Sequence, residues 1–336
     1  MLLALQTSFA SFAAPAAPEI AAPAGTVIDM NSGIVLYAKD ADTPYYPASI
    51  TKTMTALLVV EKCSLDETVT FSKKATTNLE SGAVTISLQE GDKLTVRECL
   101  YALLLKSANE VANGLAEHVA GSVEAFAELM NAKAASLGCT HTHFVNPNGL
   151  NDSNHYTTAH DMALIGRAAF ANEIIRKIDT TESYKIQATK KNPKGITVTR
   201  SNKILNPSNE CYYPYAIASK TGYTSRAGST LVTAAEKDGK RLVAVILKST
   251  KYLGQYADTK TLLDYGFEVL SSTQSLVAGS GNSQPVTGVN GGPGTQSTGM
   301  TENGAPQPAP DTAESSANAG SNVQQQVQLV GPGGTQ

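Results

Sequence analysis

The chain has no dense run of lysine or arginine. Its formal net charge of -3 and pI near 6.0 leave no electrostatic footprint for nucleic acid. The same lack removes the basic stripe that grips anionic lipid, so membrane attachment is not evident. No stretch reaches the roughly 18 consecutive apolar residues of a membrane-spanning helix. Cysteine is sparse: Cys63, Cys99, Cys139 and Cys211 lie far apart with no Cys-x-x-Cys pair, and they read as small buried hydrophobes. Their spacing does not argue for a disulfide, and leaves one open. From Ser271 onward there is no lysine, arginine or aromatic residue, and the only acids are Glu302, Asp311 and Glu314. That stretch cannot bury enough apolar surface to offset its ordering entropy, so residues 272–336 are expected to be a disordered Gly/Pro/Ser/Gln-rich tail. It has no aromatic repeats, which disfavours a wall-binding module.

What remains is a chain of 336 residues with 41% hydrophobic content, concentrated in residues 25–271. Residues 1–14 have the apolar region and small-residue exit of an export signal, without its basic start, and residues 15–24 read as an Ala/Pro linker. Residues 26–29 and 34–37 flank Asn31-Ser32-Gly33 and predict a strand, turn and strand. Apolar residues at helical intervals predict a helix over 49–62. Residues 95–137 are helical in pattern, with breaks at Ser107 to Asn109 and at Gly121-Ser122. A further helix is expected over 158–170, capped by Thr157 or Thr158. Two period-two segments, 229–235 and 241–248, flank the turn Lys237-Asp238-Gly239-Lys240, and an amphipathic helix over 257–271 closes the domain. Strands at both ends with helices between them imply a mixed α/β fold whose two sequence-distant halves come together.

Ser49-Ile50-Thr51-Lys52 places a hydroxyl and an amine three residues apart, on one face of a helix. A serine hydroxyl is a weak nucleophile until a base takes its proton, and lysine serves as that base only when burial or a second cation lowers its pKa. One such pattern is expected by chance in a chain of this length; here it occurs once, after Tyr45-Tyr46-Pro47-Ala48. Ser107-Ala108-Asn109 adds a hydroxyl to relay the proton and an amide to hold a backbone. Two further Ser-x-Asn triplets, at Ser280 and Ser316, fall in the tail and carry no weight. Lys220-Thr221-Gly222 opens the predicted hairpin, offering positive potential, a hydroxyl for a carboxylate and a bare strand edge for an extended ligand.

Singly these motifs are weak, but their order and wide spacing form the signature set of penicillin-binding proteins and serine β-lactamases. The chain resembles a low-molecular-mass penicillin-binding protein of the D-alanyl-D-alanine carboxypeptidase type. Pro47 to Lys52, His143 to Leu150 followed by Tyr156-Thr157-Thr158, and Lys220 to Thr224 with Ala227-Gly228 carry the resemblance across residues 25–271. It implies an α/β domain in which a mainly antiparallel five-stranded sheet packs with helices and a helical subdomain flanks the cleft. It implies Ser49 as acyl-forming nucleophile, Lys52 as general base, Ser107 as proton relay, Asn109 as a contact to the peptide, and Lys220, Thr221 and Gly222 as the carboxylate-binding strand. The oxyanion hole would be the N–H of Ser49 and one near Tyr223 or Thr224. The expected partners are a peptidoglycan stem peptide and β-lactams as covalent inhibitors, on the extracytoplasmic side of the cell, with no cofactor.

The sequence departs from the resemblance in showing neither the further β-sheet domain nor the amphipathic anchor common in such proteins. Gln255 also stands near a position where many relatives have arginine. A β-lactamase of the same fold is disfavoured because no Glu-x-x-x-Asn loop lies between Ser107 and Lys220. A non-catalytic β-lactam or muropeptide sensor is the other alternative, disfavoured by the intact motif set. His141 and His143 lack a third ligand at metal spacing, and Asp161 and Glu110 read as helix-surface charges.

Overall fold

The computed structural model describes residues 15–77 and 79–279, with side chains described as far as residue 272. The export-signal-like residues 1–14, and the tail from residue 280, lie outside them. In chain order the elements are β1 (Ala24–Asp29), β2 (Val35–Lys39), α1 (Lys52–Lys62), β3 (Thr68–Thr70), α2 (Lys73–Thr77), β4 (Lys93–Thr95) and α3 (Val96–Tyr101). There follow α4 (Asn109–Ala120), α5 (Val123–Ser136), α6 (Ala159–Ala171), α7 (Glu173–Thr180), β5 (Ser183–Ile186) and β6 (Ile196–Thr199). The last are β7 (Ala216–Thr224), β8 (Gly228–Lys237), β9 (Lys240–Ser249) and α8 (Gly254–Gly279).

The main sheet has five strands in the order β2-β1-β9-β8-β7, every neighbouring pair antiparallel. The two ends of the domain therefore meet side by side, β1 against β9. Asp238 and Gly239, both at positive φ (50° and 72°), make the two-residue turn between β8 and β9 that the sequence predicts. The period-two reading of those strands does not hold. Leu231 to Ala235 and Leu242 to Leu247 are buried without alternation, because helices cover both faces of the sheet.

One face, carrying Val232, Val243 and Val245, packs into the larger core with α6 and the helical region. The other, carrying Val27, Leu231, Leu242 and Ile246, packs on Leu262, Leu263 and Phe267 of α8. Glycine marks the closest approach on each side. A Cβ at Gly166 of α6 would stand 2.9 Å from Val232, and one at Gly266 of α8 would stand 2.8 Å from Leu242.

The helical breaks fall where the sequence puts them. Thr95 and Glu98 form a capping box on α3, Gly121 ends α4 at φ 81°, Ser122 caps α5 and Thr158 caps α6. Three boundaries differ. The chain enters α1 through a 3-10 turn, Ala48–Thr51, so Ser49 precedes the α-helix instead of starting it. The 15–24 segment is docked at its end: Ile20 and Ala22 are buried, and the N–H groups of Ala21 and Ala22 donate to the two Asp258 carboxylate oxygens at 3.0 and 2.8 Å. The last helix runs past Ser271 to Gly279, since nothing in that stretch breaks it sooner.

Candidate active site

The 3-10 turn that carries Ser49 is held from three directions. Ala48 sits at φ 52°, a strained value for a residue with a Cβ, and persists only because its surroundings impose it. From the sheet, Thr230 Oγ1 donates to Pro47 O at 2.8 Å. From the loop before α6, His155 Nε2 lies 2.8 Å from Thr51 Oγ1. From the loop at 146–150, Pro147 O accepts from Thr55 Oγ1 at 2.6 Å. Gly149, at φ 83°, lies so close to the turn that a Cβ would stand 2.0 Å from Ala48 O. The loop keeps its own shape through Asn146 Oδ1, which accepts from Gly149 N–H at 2.7 Å, and Asn148 Oδ1, which accepts from Leu150 N–H at 2.8 Å.

Lys52 starts α1 and is fully buried, 0% exposed. Its Nζ lies 3.0 Å from Ser49 Oγ, 2.8 Å from Asn109 Oδ1 and 2.5 Å from Asn148 O. Two of these partners are amide or peptide oxygens that only accept. A neutral amine, with two N–H bonds and one lone pair, satisfies both and leaves the lone pair for the one partner that can donate, the Ser49 hydroxyl. Burial, and after it the charge of Lys220, push the Lys52 pKa well below the ordinary lysine value; Glu110 opposes them.

Ser107 lies in the left-handed conformation (φ 64°, ψ 34°) at the end of a π turn, Ala102–Lys106, that follows α3. Such single π turns concentrate at functional sites. Its Oγ accepts from Lys220 Nζ at 3.1 Å, and a second Lys220 N–H goes to Thr221 O at 2.8 Å. Lys220, Thr221 and Gly222 lie on β7, paired with Val232, Leu231 and Thr230. A Cβ at Gly222 would stand 2.4 Å from Thr230 Oγ1 and 2.8 Å from Ser49 N, so the strand backbone lies directly against the nucleophile turn. β7 has a strand on one side only; on its outer edge Ser219 is already held by Asp179 and Asn202, and the stretch beyond Ser219 has no strand partner and can pair with an extended ligand.

Ser49, Lys52, Ser107, Asn109, Lys220, Thr221 and Gly222, the candidate site residues from sequence, all fall in this region, though Asn109 stands differently from expectation. It is 3% exposed, its Oδ1 faces Lys52 and its Nδ2 donates to Val84 O at 3.0 Å. Glu110 and Asp161 are not surface charges; both are buried because loops fold over them. Glu110 accepts from Ile86 N–H at 2.6 Å, and Asp161 holds the 140–142 loop through His141 N–H and Thr142 Oγ1, both at 2.8 Å. Gln255 is also buried, with Oε1 unpartnered.

Three contributors escape sequence reading. Asn148 supplies Lys52 with its backbone acceptor. His155 is 1% exposed, and burial lowers its pKa to about 3. Val145 N–H donates to its Nδ1 at 3.1 Å, which fixes the neutral ring with its proton on Nε2, toward Thr51. Asp179, at the end of α7, accepts from Ser219 N–H at 3.1 Å. Burial raises its pKa to about 7, and its charge in turn holds up that of Lys220, which burial lowers to about 8.

With this geometry in view, the likenesses to known proteins agree. Residues 11–251 match the D-alanyl-D-alanine carboxypeptidase family of S11 peptidases. Among curated relatives, D-alanyl-D-alanine carboxypeptidase DacF of Bacillus subtilis is 32% identical over 73% of this chain and 62% of its own length. D-alanyl-D-alanine carboxypeptidase DacB2 of Mycobacterium tuberculosis is 35% identical over 74% of this chain and 84% of its own. The chain thus spans less than two thirds of the Bacillus relative. Among solved structures, a Streptomyces DD-transpeptidase superposes with a TM-score of 0.69 at 32% identity, covering 75% of this chain and 99% of that one. With residues 11–251 matched to the family model and a relative 35% identical over 84% of its own length, the chain belongs to the D-alanyl-D-alanine carboxypeptidase family of serine peptidases.

Proposed function

We propose that the chain removes the terminal D-alanine of peptidoglycan stem pentapeptides through an acyl-enzyme on Ser49. The observation that carries this reading is the 3.0 Å contact between Ser49 Oγ and a buried lysine whose other two partners are obligate acceptors. Neutral Lys52 takes the Ser49 proton as Oγ bonds to the carbonyl carbon of the penultimate residue. The resulting oxyanion lies between Ser49 N–H and an N–H of β7 near Tyr223 or Thr224. As the C–N bond breaks, the proton passes from Lys52 by way of Ser107 to the departing D-alanine nitrogen. Water then attacks the ester, Lys52 takes its proton, and Ser49 is regenerated. Lys220, kept charged, and Thr221 hold the terminal carboxylate, while Gly222 leaves room for the peptide to lie along β7. A contact from Asn109 to the peptide requires one of its present hydrogen bonds to open, so its first role is to position Lys52.

A β-lactam acylates Ser49 by the same attack, but its leaving nitrogen stays tethered to the adduct. With no acid dedicated to activating a deacylating water, that adduct persists for many minutes. The substrate class places the domain on the cell-wall side, in keeping with the export-signal-like residues 1–14. The chain's catalytic domain is residues 25–271, extended at its start by the docked residues 20–24 and at its end by the rest of α8. Mass spectrometry of a pentapeptide incubated with the chain should show loss of one D-alanine, abolished in Ser49→Ala. Intact-mass analysis after penicillin should show one adduct, absent from that variant. An adduct on another serine, or no D-alanine release from a folded chain, refutes the reading.

A further inference from the structure

The sequence gives Cys63 no histidine neighbour, but the fold does. Cys63 ends α1, its N–H donating to Val59 O at 3.0 Å. The turn beyond it returns Glu67, whose Oε1 accepts from Ser64 N–H and whose Oε2 lies 3.0 Å from Nε2 of His118, in the last turn of α4. Cys63 Sγ, a Glu67 carboxylate oxygen and a His118 ring nitrogen all lie within 4.8 Å of one another, the one such grouping among the described residues. Cys63 and His118 are half-buried and Glu67 is exposed, so solvent reaches the cluster.

We propose that Cys63, Glu67 and His118 bind a zinc-class divalent cation at the end of α1 remote from Ser49. Thiolate, carboxylate and imidazole are the ligand types that zinc takes, and three protein ligands leave a fourth position for water. The charges balance: a thiolate and a carboxylate neutralise a divalent ion, with the imidazole neutral. On binding, the thiol releases its proton to solvent, and the His118 proton moves to Nδ1 so that Nε2 can ligate. Ligands at about 2.0–2.3 Å in a tetrahedron stand roughly 3.3–3.8 Å apart. Glu67 and His118 are near that already, and rotation of the exposed Glu67 side chain brings the set together. Both helices direct their C-terminal ends here, where the backbone dipoles favour a cation.

The placement explains what such an ion would do. α1 begins at Lys52 and α4 at Asn109, and those two side chains meet at 2.8 Å. The pair is thus joined at its N-terminal ends by the lysine–asparagine bond and at its C-terminal ends by the cation. At about 1.5 Å per residue, the 11-residue α1 puts the cation on the order of 16 Å from Lys52, too far to take part in the chemistry. It is a brace for the helix pair.

The test is titration of the full chain, kept reduced, with Co²⁺ followed by Zn²⁺. One equivalent of Co²⁺ should bind with a thiolate-to-cobalt charge-transfer absorption, and Zn²⁺ should displace it. Cys63→Ser should lose that absorption, and His118→Ala should weaken binding at least tenfold, with circular dichroism verifying that both are folded. Cys139→Ser should behave as the parent. No saturable absorption in the parent, or an undiminished one in Cys63→Ser or His118→Ala, overturns the proposal.

Discussion

Lys52 on the helical wall and Lys220 on the sheet wall are the same residue type, both shut away from solvent, yet their surroundings differ in the way that the opposite tasks proposed for them require. Around Lys52 stand two obligate neutral acceptors and a hydroxyl, and a cation presses from across the site. Around Lys220 stand a hydroxyl and a peptide oxygen, with the Asp179 carboxylate near enough to hold up its charge. Burial lowers both pKa values. Under the proposed mechanism, what separates the base from the anchor is the balance of neighbouring charge: at Lys52 the Lys220 cation outweighs the opposing Glu110, whereas at Lys220 the neighbouring charge is the Asp179 carboxylate.

The sharpest way to break this comparison is to remove each lysine in turn. Lys52→Ala should reduce penicillin acylation by about 10²- to 10⁴-fold, the range for a lost general base. Lys220→Ala should also slow acylation but in addition raise KM for the peptide, because it removes carboxylate binding as well. Stopped-flow acylation and steady-state kinetics on both variants decide this; equal KM values would erase the distinction.

The seam between the walls comes next. In Gly222→Ala the added Cβ meets Thr230 Oγ1 at 2.4 Å and Ser49 N at 2.8 Å, so β7 must move off the nucleophile turn. A shift of this kind should cost about 10²-fold in acylation with the melting temperature little changed. Normal acylation would show that the strand need not touch the turn.

Acidity offers a finer probe. The proposed reaction needs Lys52 neutral and Lys220 charged, so the rate should rise as pH passes the depressed pKa of Lys52 and fall as it passes that of Lys220, about 8. Asp179 holds the Lys220 pKa up, so Asp179→Asn should move the falling limb of kcat/KM to lower pH, and Lys220→Arg should move it to higher pH. An unmoved limb in both variants assigns it to another group.

Much of this pair was legible in the sequence, and the reason is locality. Ser49 and Lys52 are three residues apart, so one helical turn suffices to join them. Ser107 was marked by the break in a long apolar pattern, and Lys220 by the hairpin that follows it. The supporting groups were not legible, because each acts across a long loop. Asn148 contributes a backbone oxygen, which no side chain announces. Asp179 looks like any acid near a helix end until α7 is packed against β7. Glu110 was misread for the same reason, as its burial depends on Ile86, far back in the chain. The β5–β6 hairpin does alternate, Ser183-Tyr184-Lys185-Ile186 and Ile196-Thr197-Val198-Thr199, but its long polar turn hid the pairing.

The smallest effect belongs to the tail. On composition alone, deleting residues 280–336 should leave D-alanine release, penicillin acylation and the melting temperature unchanged within error. A fall of several degrees would mean that those residues contribute to the fold.

The main sheet stops at β7, and the edge without a strand partner is the one on which the proposed function lays the peptide. An unpaired strand edge is also an invitation to any other extended chain, including a second copy of the same protein. Occupancy should therefore have a signature apart from turnover. Backbone amides along 216–224 that exchange with deuterium in the free protein should slow when a non-hydrolysable peptide is bound, and self-association at high concentration should decline in parallel.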